Sequence, residues 1–402
     1  MSYDSISPPP QDPLDTIPPS PPTKSSSRSR SLIALAMLCM CIASFVVQTE
    51  LAQFVQQTSD FRKPYFILYI GHSSYMLILP IQFVTEYFKR WHSTRSASSF
   101  RERCQQVLQE AFADFKDDLA ALVRHVRPDD YQTTSLEEAS EDQFVKSLHM
   151  SPRQISYLVR ITLALAIMIT VPAYLWYITV NLISTASLTA VYNTACFWAY
   201  LFSILLLGEH IVTRKVLAIV LCILGVLLMA FWSSDDTENR HNPFGIPMAV
   251  MGAVAYGYYE VFYKQYASPP KASVLFANVV TGLMGISSLF ILWIPIPILH
   301  VSGYEVFELP SWTTLGYIFG IAVTGVMYNA GFMCVIALVN PVFAAVGIML
   351  TIPAVAVADV LVTGVMVPMS TIVGSVCILL GFAALSYELS KDEDDDHIEA
   401  QG

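Results

Sequence analysis

The chain has 402 residues, of which 54% are hydrophobic and 13% charged, with a formal net charge of −10 and a mean hydropathy of +0.52. A soluble globular chain carries about twice that charged fraction, so fibrous, disulfide-stapled and disordered classes are excluded and a polytopic membrane protein remains. The acidity is local: residues 389–402 hold six acids and one Lys, and no basic patch points to nucleic acid.

Residues 1–30 hold eight Pro and no apolar run, and are expected to form a disordered cytosolic N-terminus. A helix needs about 20 apolar residues to cross a bilayer. Ten stretches qualify: 31–55, 65–87, 161–180, 184–207, 216–232, 244–266, 274–299, 312–338, 342–363 and 367–389. The second is the weakest, because His72, Ser73, Ser74 and Pro80 interrupt it. The first is read as an uncleaved span, since no small-residue cleavage site follows it. With the N-terminus cytosolic, nineteen Lys and Arg fall on the cytosolic side against three opposite, as the positive-inside rule requires. An acidic cytosolic tail, 390–402, closes the chain.

Residues 88–153 form a long cytosolic insert. Within it Phe100, Cys104, Val107, Leu108, Ala111, Phe115, Leu119 and Leu122 recur at helical spacing, which predicts an amphipathic helix over 100–126. It is expected to rest on headgroups or cytosolic loops, with a gate or partner-binding helix as the functional alternative. The seven Cys fit neither a disulfide framework nor a zinc site and read as small packing residues.

A shift of 156 residues lays Leu205–Gly208 on Leu361–Gly364 and Ile223–Gly225 on Leu379–Gly381. The fold class expected is therefore all-α, with ten transmembrane helices as two five-helix repeats, 31–232 and 244–389. An odd number of spans per half inverts the second half, as in alternating-access transporters, whose site lies between the halves.

Several stretches then carry a family resemblance: Arg62-Lys63-Pro64-Tyr65-Phe66, Ser187-Leu188-Thr189, Gly208-Glu209, Ala253 to Tyr259 followed by Lys264, and Thr351-Ile352-Pro353 with Asp359. In these the chain resembles the drug/metabolite transporter superfamily with its EamA-like repeats. Within it the chain is most similar to fungal vacuolar and thiamine-transporter-like, F-type members of solute carrier family 35. The resemblance covers about residues 31–389 without 92–150. It implies transport of nucleotide sugars, vitamins or small metabolites, and a vacuolar or Golgi membrane rather than the plasma membrane.

Ionisable groups at membrane depth are expensive and mark candidate sites. They are Glu50, His72, Glu260, Lys264 and Asp359. Glu50 and Asp359 are assigned to substrate, together with Tyr192, Asn193, Tyr256, Tyr259, Tyr328 and Asn329. Their rings can hold a planar or cationic ligand and their amides can orient it. His72, Glu260 and Lys264 are assigned to gating or proton coupling, and Glu260 and Lys264 are spaced to pair on one helix face. Asn278 adds a further hydrogen-bonding group.

The expected function is secondary transport of a small organic metabolite, thiamine-like or otherwise cationic or aromatic. A nucleotide-sugar transporter and a non-transporting receptor or scaffold are the alternatives. The near absence of buried Lys and Arg weighs against two phosphates. No hydrolase or metalloprotease motif occurs, so no enzyme, cofactor or metal is expected. The expected partners are a small-molecule solute and the lipid bilayer, and the fold allows a homodimer.

Overall fold

The computed structural model of the protein describes residues 24–57, 61–91, 99–126, 150–179, 182, 188, 191–232, 244–339, 341–351 and 369–399. Among these residues the chain is helical, with no strand. The helices are α1 (Lys24–Gln57), α2 (Pro64–Ser73), α3 (Ile78–Lys89), α4 (Phe100–Val126), α5 (Pro152–Thr179), α6 (Ala195–Phe202) and α7 (Thr213–Trp232). They continue as α8 (Gly245–Ala267), α9 (Val274–Ile291), α10 (Pro295–Val301), α11 (Trp312–Leu338), α12 (Pro341–Ile348) and α13 (Met369–Glu399).

Among the described residues, four helical stretches are long and apolar enough to cross a membrane: Pro64–Lys89, Pro152–Thr179, Val274–Val301 and Trp312–Leu338. Shorter apolar helices lie at Leu32–Gln48, Val191–Leu207 and Ile372–Leu385. Outward faces carry exposed apolar side chains such as Val171, Leu205, Leu217, Phe290, Phe319 and Leu380. Exposed apolar surface of this extent suits hydrocarbon as solvent rather than water.

Local chemistry sets the element ends. In the second predicted span, α2 passes through a 3₁₀ turn, Ser74–Leu77, into α3, so the polar run at 72–74 tightens the helix without ending it. Pro295 opens α10 at its first turn, where the missing N–H costs no bond, so the seventh predicted span bends at 292–294. After a π-turn over Ser203–Leu207, Gly208 adopts φ +72° and ends the helix. Ser273 and Ser311 cap α9 and α11, accepting from the N–H groups of Phe276 and Thr314 at 3.2 Å each. The N-cap residue of α2, Lys63, makes no side-chain cap. Instead the Glu305 carboxylate, from the loop after α10, accepts from the N–H groups of Tyr65 (3.0 Å) and Phe66 (2.9 Å). Acidic oxygens at a helix N-terminus satisfy orphan donors and favour the macrodipole.

The most extensive pairings are α7 with α13, α1 with α11, α5 and α6 with α8, and α2–α3 with α9. The α1–α11 pair is antiparallel, because Phe45 packs on Tyr328 and Phe54 on Tyr317. So is α2–α3 against α9, where the Tyr65 hydroxyl donates to Leu292 O and Asn278 Nδ2 donates to Gln82 Oε1. Between α7 and α13 the backbones nearly touch. A Cβ at Gly225 would sit 2.6 Å from Gly374 O, and one at Gly381 would sit 2.7 Å from Ala218 O. Midway, the Cys222 thiol donates to Ile378 O at 3.6 Å.

Helix α4 has the expected bounds but not the expected setting. Rather than resting on headgroups or loops, it enters the central core: Val107 and Leu119 are fully buried, and Leu122 is 1% exposed. Phe115 stacks on Phe276 at 5.0 Å and 20°. The apolar stripe reaches α3, α5, α8 and α9 because their ends leave an apolar surface that one helix covers.

Candidate functional site

The α8 register carries the centre of the molecule. Tyr256 and Glu260 are one turn apart and so share a face. The Tyr256 hydroxyl meets that of Tyr328 at 3.1 Å. Phe332 lies nearly parallel to both rings, 6.0 Å and 18° from Tyr256 and 5.6 Å and 10° from Tyr328. Tyr259 is fully buried, its hydroxyl directed at Met284 Sδ (3.7 Å) and Met333 Sδ (3.6 Å). Asn329 is 3% exposed, and its Oδ1 has no hydrogen-bond partner among the described residues. Tyr256, Tyr259, Tyr328 and Asn329 are thus brought together between α8 and α11.

Glu260 is 0% exposed, and neither carboxyl oxygen has a hydrogen-bond partner among the described residues. The expected pair with Lys264 does not form. Lys264 Nζ donates instead to Ile336 O (3.3 Å) and Ala337 O (3.1 Å), carbonyls in the last turn of α11. The physical reason is that helix C-terminal carbonyls are orphan acceptors carrying partial negative charge, so an ammonium group is well placed there.

Of the other sequence candidates, Tyr192 and Asn193 lie in the segment before α6, while His72 stands behind Tyr75, whose hydroxyl meets the Asn329 side chain. Tyr192 donates to Pro172 O at 2.9 Å and packs against Gly252, so its hydroxyl is engaged at the α5–α8 contact. Asn193 follows it in the turn before α6, away from the Tyr256–Tyr328 pair in sequence and element. His72 stacks on Tyr75 at 5.3 Å, with Nδ1 3.3 Å from Thr170 Oγ1. The Thr170 hydroxyl proton is spent on Ala166 O at 2.7 Å, so the hydrogen-bond network assigns the His72 proton to Nδ1. Glu50 lies in α1, and its side chain is outside the described residues, as is Asp359 altogether.

Asn278, expected to hydrogen-bond a ligand, belongs to a polar ladder instead. Cys334 Sγ donates to Asn278 Oδ1 (3.4 Å), Asn278 Nδ2 to Gln82 Oε1 (2.6 Å), and Gln82 Nε2 to Glu86 Oε1 (3.2 Å). Arg90 Nε then donates to Glu86 Oε2 (2.9 Å), and its guanidinium reaches Glu110 (3.3 Å) and Asp114 (2.6 Å) on α4. These three carboxylates hold the Arg90 guanidinium pKa above its ordinary value against the opposing effect of burial. Sequence reasoning missed Gln82, Glu86 and Arg90. The signal was present as i, i+4 spacing, which puts all three on one face of α3.

No family model matches the sequence. The chain is 28% identical over 211 residues to the uncharacterized transporter C405.03c of Schizosaccharomyces pombe, covering 51% of this chain and 61% of that one. It is 24% identical over 345 residues to the thiamine-repressible mitochondrial transport protein THI74 of Saccharomyces cerevisiae, covering 82% and 84%. A further match, 22% over 400 residues and 94% of each chain, is the uncharacterized vacuolar membrane protein YML018C of the same yeast. Solute carrier family 35 member F5 of Bos taurus is 31% identical over 104 residues, 26% of this chain and 19% of that one. One solved crystal structure shares the fold, with TM-score 0.52, 11% identity, and coverage of 91% of this chain and 99% of that one. The chain is a helical membrane protein homologous to proteins named as transporters, solute carrier family 35 members among them, a relationship consistent with the drug/metabolite transporter superfamily.

Proposed function

We propose that this protein is a secondary transporter moving a small organic solute, cationic or aromatic, across an endomembrane. It works by alternating access between two inverted five-helix halves, 31–232 and 244–389. The observation that carries this reading is the symmetry of helix packing. Number the predicted spans one to ten in chain order and exchange each with the span five places away. The pair α1–α11 (spans one and eight) becomes α8–α5 (six and three), and α7–α13 (five and ten) and α2–α3 with α9 (two and seven) return to themselves; all are extensive pairings. The α7–α13 crossing repeats the symmetry at residue level. Gly225–Gly374 and Ala218–Gly381 are exchanged by the same 156-residue shift, which also carries Cys222 onto Ile378. Inverted repeats of this kind allow one arrangement of the two halves to open to either side.

The substrate site in this reading lies between α8 and α11, at Tyr256, Tyr259, Tyr328 and Asn329, with Glu260 supplying charge. Glu50 and Asp359 remain candidate contributors. On the cytosolic side α4 touches both halves, α3 and α5 from the first and α8 and α9 from the second. It therefore acts as a gate that has to shift for opening on that side. A vacuolar location accords with a relative named as a vacuolar membrane protein, while another is named as mitochondrial; a Golgi location is the alternative that the family resemblance implies. The nucleotide-sugar alternative is disfavoured because the ammonium of Lys264 is occupied by carbonyls.

The test is purified protein in liposomes preloaded with candidate metabolites. Counterflow of a labelled small cation supports the reading. Binding without flux makes the protein a receptor, and flux of a nucleotide sugar replaces the substrate class. Tags at residues 1 and 402 both facing the cytosol are expected, and opposite-side tags overturn the inverted repeat.

A further inference from the structure

We propose that the corner where α3 meets α4 is a binding site for an anionic phospholipid of the cytosolic leaflet, with the lipid phosphate on the Arg103 guanidinium and an acyl chain along Phe88 and Phe100. The proposal adds a lipid partner to the transport reading, and only its assignment to the cytosolic leaflet rests on that reading.

The lipid-facing side of α3 leads into this corner. Ile81, Val84 and Phe88 are exposed at i, i+3 and i+7, an apolar stripe on a stretch of span length. Trp91 follows at the end of that stripe, its N–H donating to Phe88 O at 3.3 Å. Tyr87 packs edge-on against Phe88 (5.9 Å) and Trp91 (5.5 Å) and tilted against Phe100 (5.8 Å), which joins the start of α4 to the end of α3. Trp and Tyr at the end of a span mark the level of the headgroups. The buried stripe of α4 begins at Val107, and Phe100, about two turns earlier, is 74% exposed. Phe100 beside the exposed Phe88 therefore carries the apolar surface of the span past its last turn.

The charge at the corner selects the kind of lipid. The Arg103 guanidinium lies over the Trp91 ring, 4.5 Å from its centroid. Its Nε is buried with no hydrogen-bond partner, and no carboxylate pairs with Arg103 among the described residues. The acids nearby are committed elsewhere. Glu86 accepts from Gln82, Lys89 and Arg90, Glu110 meets Arg90, and Glu102 accepts from the Ser99 N–H at 3.2 Å. Arg90 thus has three carboxylates, while the partly buried Arg103 has none and favours an anion from outside. Arg101, exposed on the same turn, adds a second positive charge. A guanidinium matches a phosphate with two parallel N–H donors, and an aromatic face beneath it keeps the fork flat. Free phosphate would leave Phe88 and Phe100 uncovered. A zwitterionic lipid brings its own cation to the guanidinium and gains less. A phospholipid of net negative charge satisfies the guanidinium and the apolar surface together.

The test uses the full-length protein in phosphatidylcholine nanodiscs that carry a trace of photoreactive phosphatidylserine or photoreactive phosphatidylcholine. Each probe has a diazirine on one acyl chain near the glycerol, and adducts are mapped by mass spectrometry. The expected adducts fall at Phe88, Trp91 or Phe100, at least about fivefold more from the serine lipid, the share of one basic group at an anionic surface. The outward face of α13, at Leu380, should take both probes equally and serves as the control for a folded protein. Arg103→Gln should lower the preference at the corner about fivefold, and Arg103→Lys should keep most of it. Millimolar inorganic phosphate should displace the serine lipid no better than chloride at equal ionic strength. Equal labelling by the two lipids, or a preference unchanged in Arg103→Gln, overturns the proposal. Displacement specific to phosphate assigns the corner to a soluble anion and overturns it too. Nanodiscs present the probe in both leaflets and no flux is read, so a lipid preference in a protein that moves no solute supports the site while refuting the transport reading.

Discussion

Replacing Phe115 by Ala distinguishes an α4 that belongs to the core from one that lies on a surface. Phe115 is 5% exposed and stacks on Phe276 of α9 at 5.0 Å. Truncating a buried Phe costs about 3–5 kcal/mol, the lost transfer energy plus a cavity that neighbours only partly fill. At about 2 °C per kcal/mol for a large chain, the apparent melting temperature falls by roughly 6–10 °C. The assay is built into the sequence: Cys41, Cys196, Cys222 and Cys334 are buried free thiols, so a thiol-reactive dye reports their exposure on heating. Leu108 lies on the same helix, 58% exposed, and is the control. Leu108→Ala should stay within about 0.5 kcal/mol of the parent, roughly 1 °C. A Phe115→Ala protein that melts with the Leu108→Ala protein refutes the core assignment of α4.

Gly225→Leu should separate α7 from α13, costing about 1–3 kcal/mol or more, because Gly374 O leaves no room for a side chain; a dye-detected melting temperature equal to the parent's would count against the crossing. Lys264→Met leaves the Ile336 and Ala337 carbonyls without their donor and should destabilise by about 1–3 kcal/mol. Combined with Glu260→Gln its effect should add within about 0.5 kcal/mol, since the two side chains do not pair; a larger coupling in that double-mutant cycle would restore the ion pair. Burial raises the Glu305 carboxyl pKa more than its two backbone N–H partners and Lys63 lower it. The folded protein then binds the proton more tightly than the unfolded chain, so stability falls as pH rises from the ordinary carboxylate pKa to the raised one and levels off above it. Melting curves across that window should lose this slope in Glu305→Gln, and an unchanged slope would assign it to another group.

Much of this protein was decided by composition and spacing alone. Apolar runs of span length, separated by charged loops, dictate helices in a bilayer because no other open backbone arrangement satisfies its own N–H and C=O groups there. The bounds of α4 followed from its apolar period for the same local reason: one face must be buried somewhere. What covers that face was not local. Phe115 meets Phe276 only because α9 begins beside it, and the 160 residues of intervening chain set that meeting. The polar residues divide in the same way. Their depth in the membrane was readable, but their partners were not, since i, i+4 spacing offered Lys264 to Glu260 while the C-terminus of α11 offered it better-placed acceptors. Glu86, which the sequence reading passed over, links Gln82 to Arg90 in a ladder from Cys334 to α4. Sequence limits which groups can pay the cost of burial, and tertiary packing selects among them, because hydrogen bonds and ion pairs depend on distances of a few ångströms that only the assembled helices define.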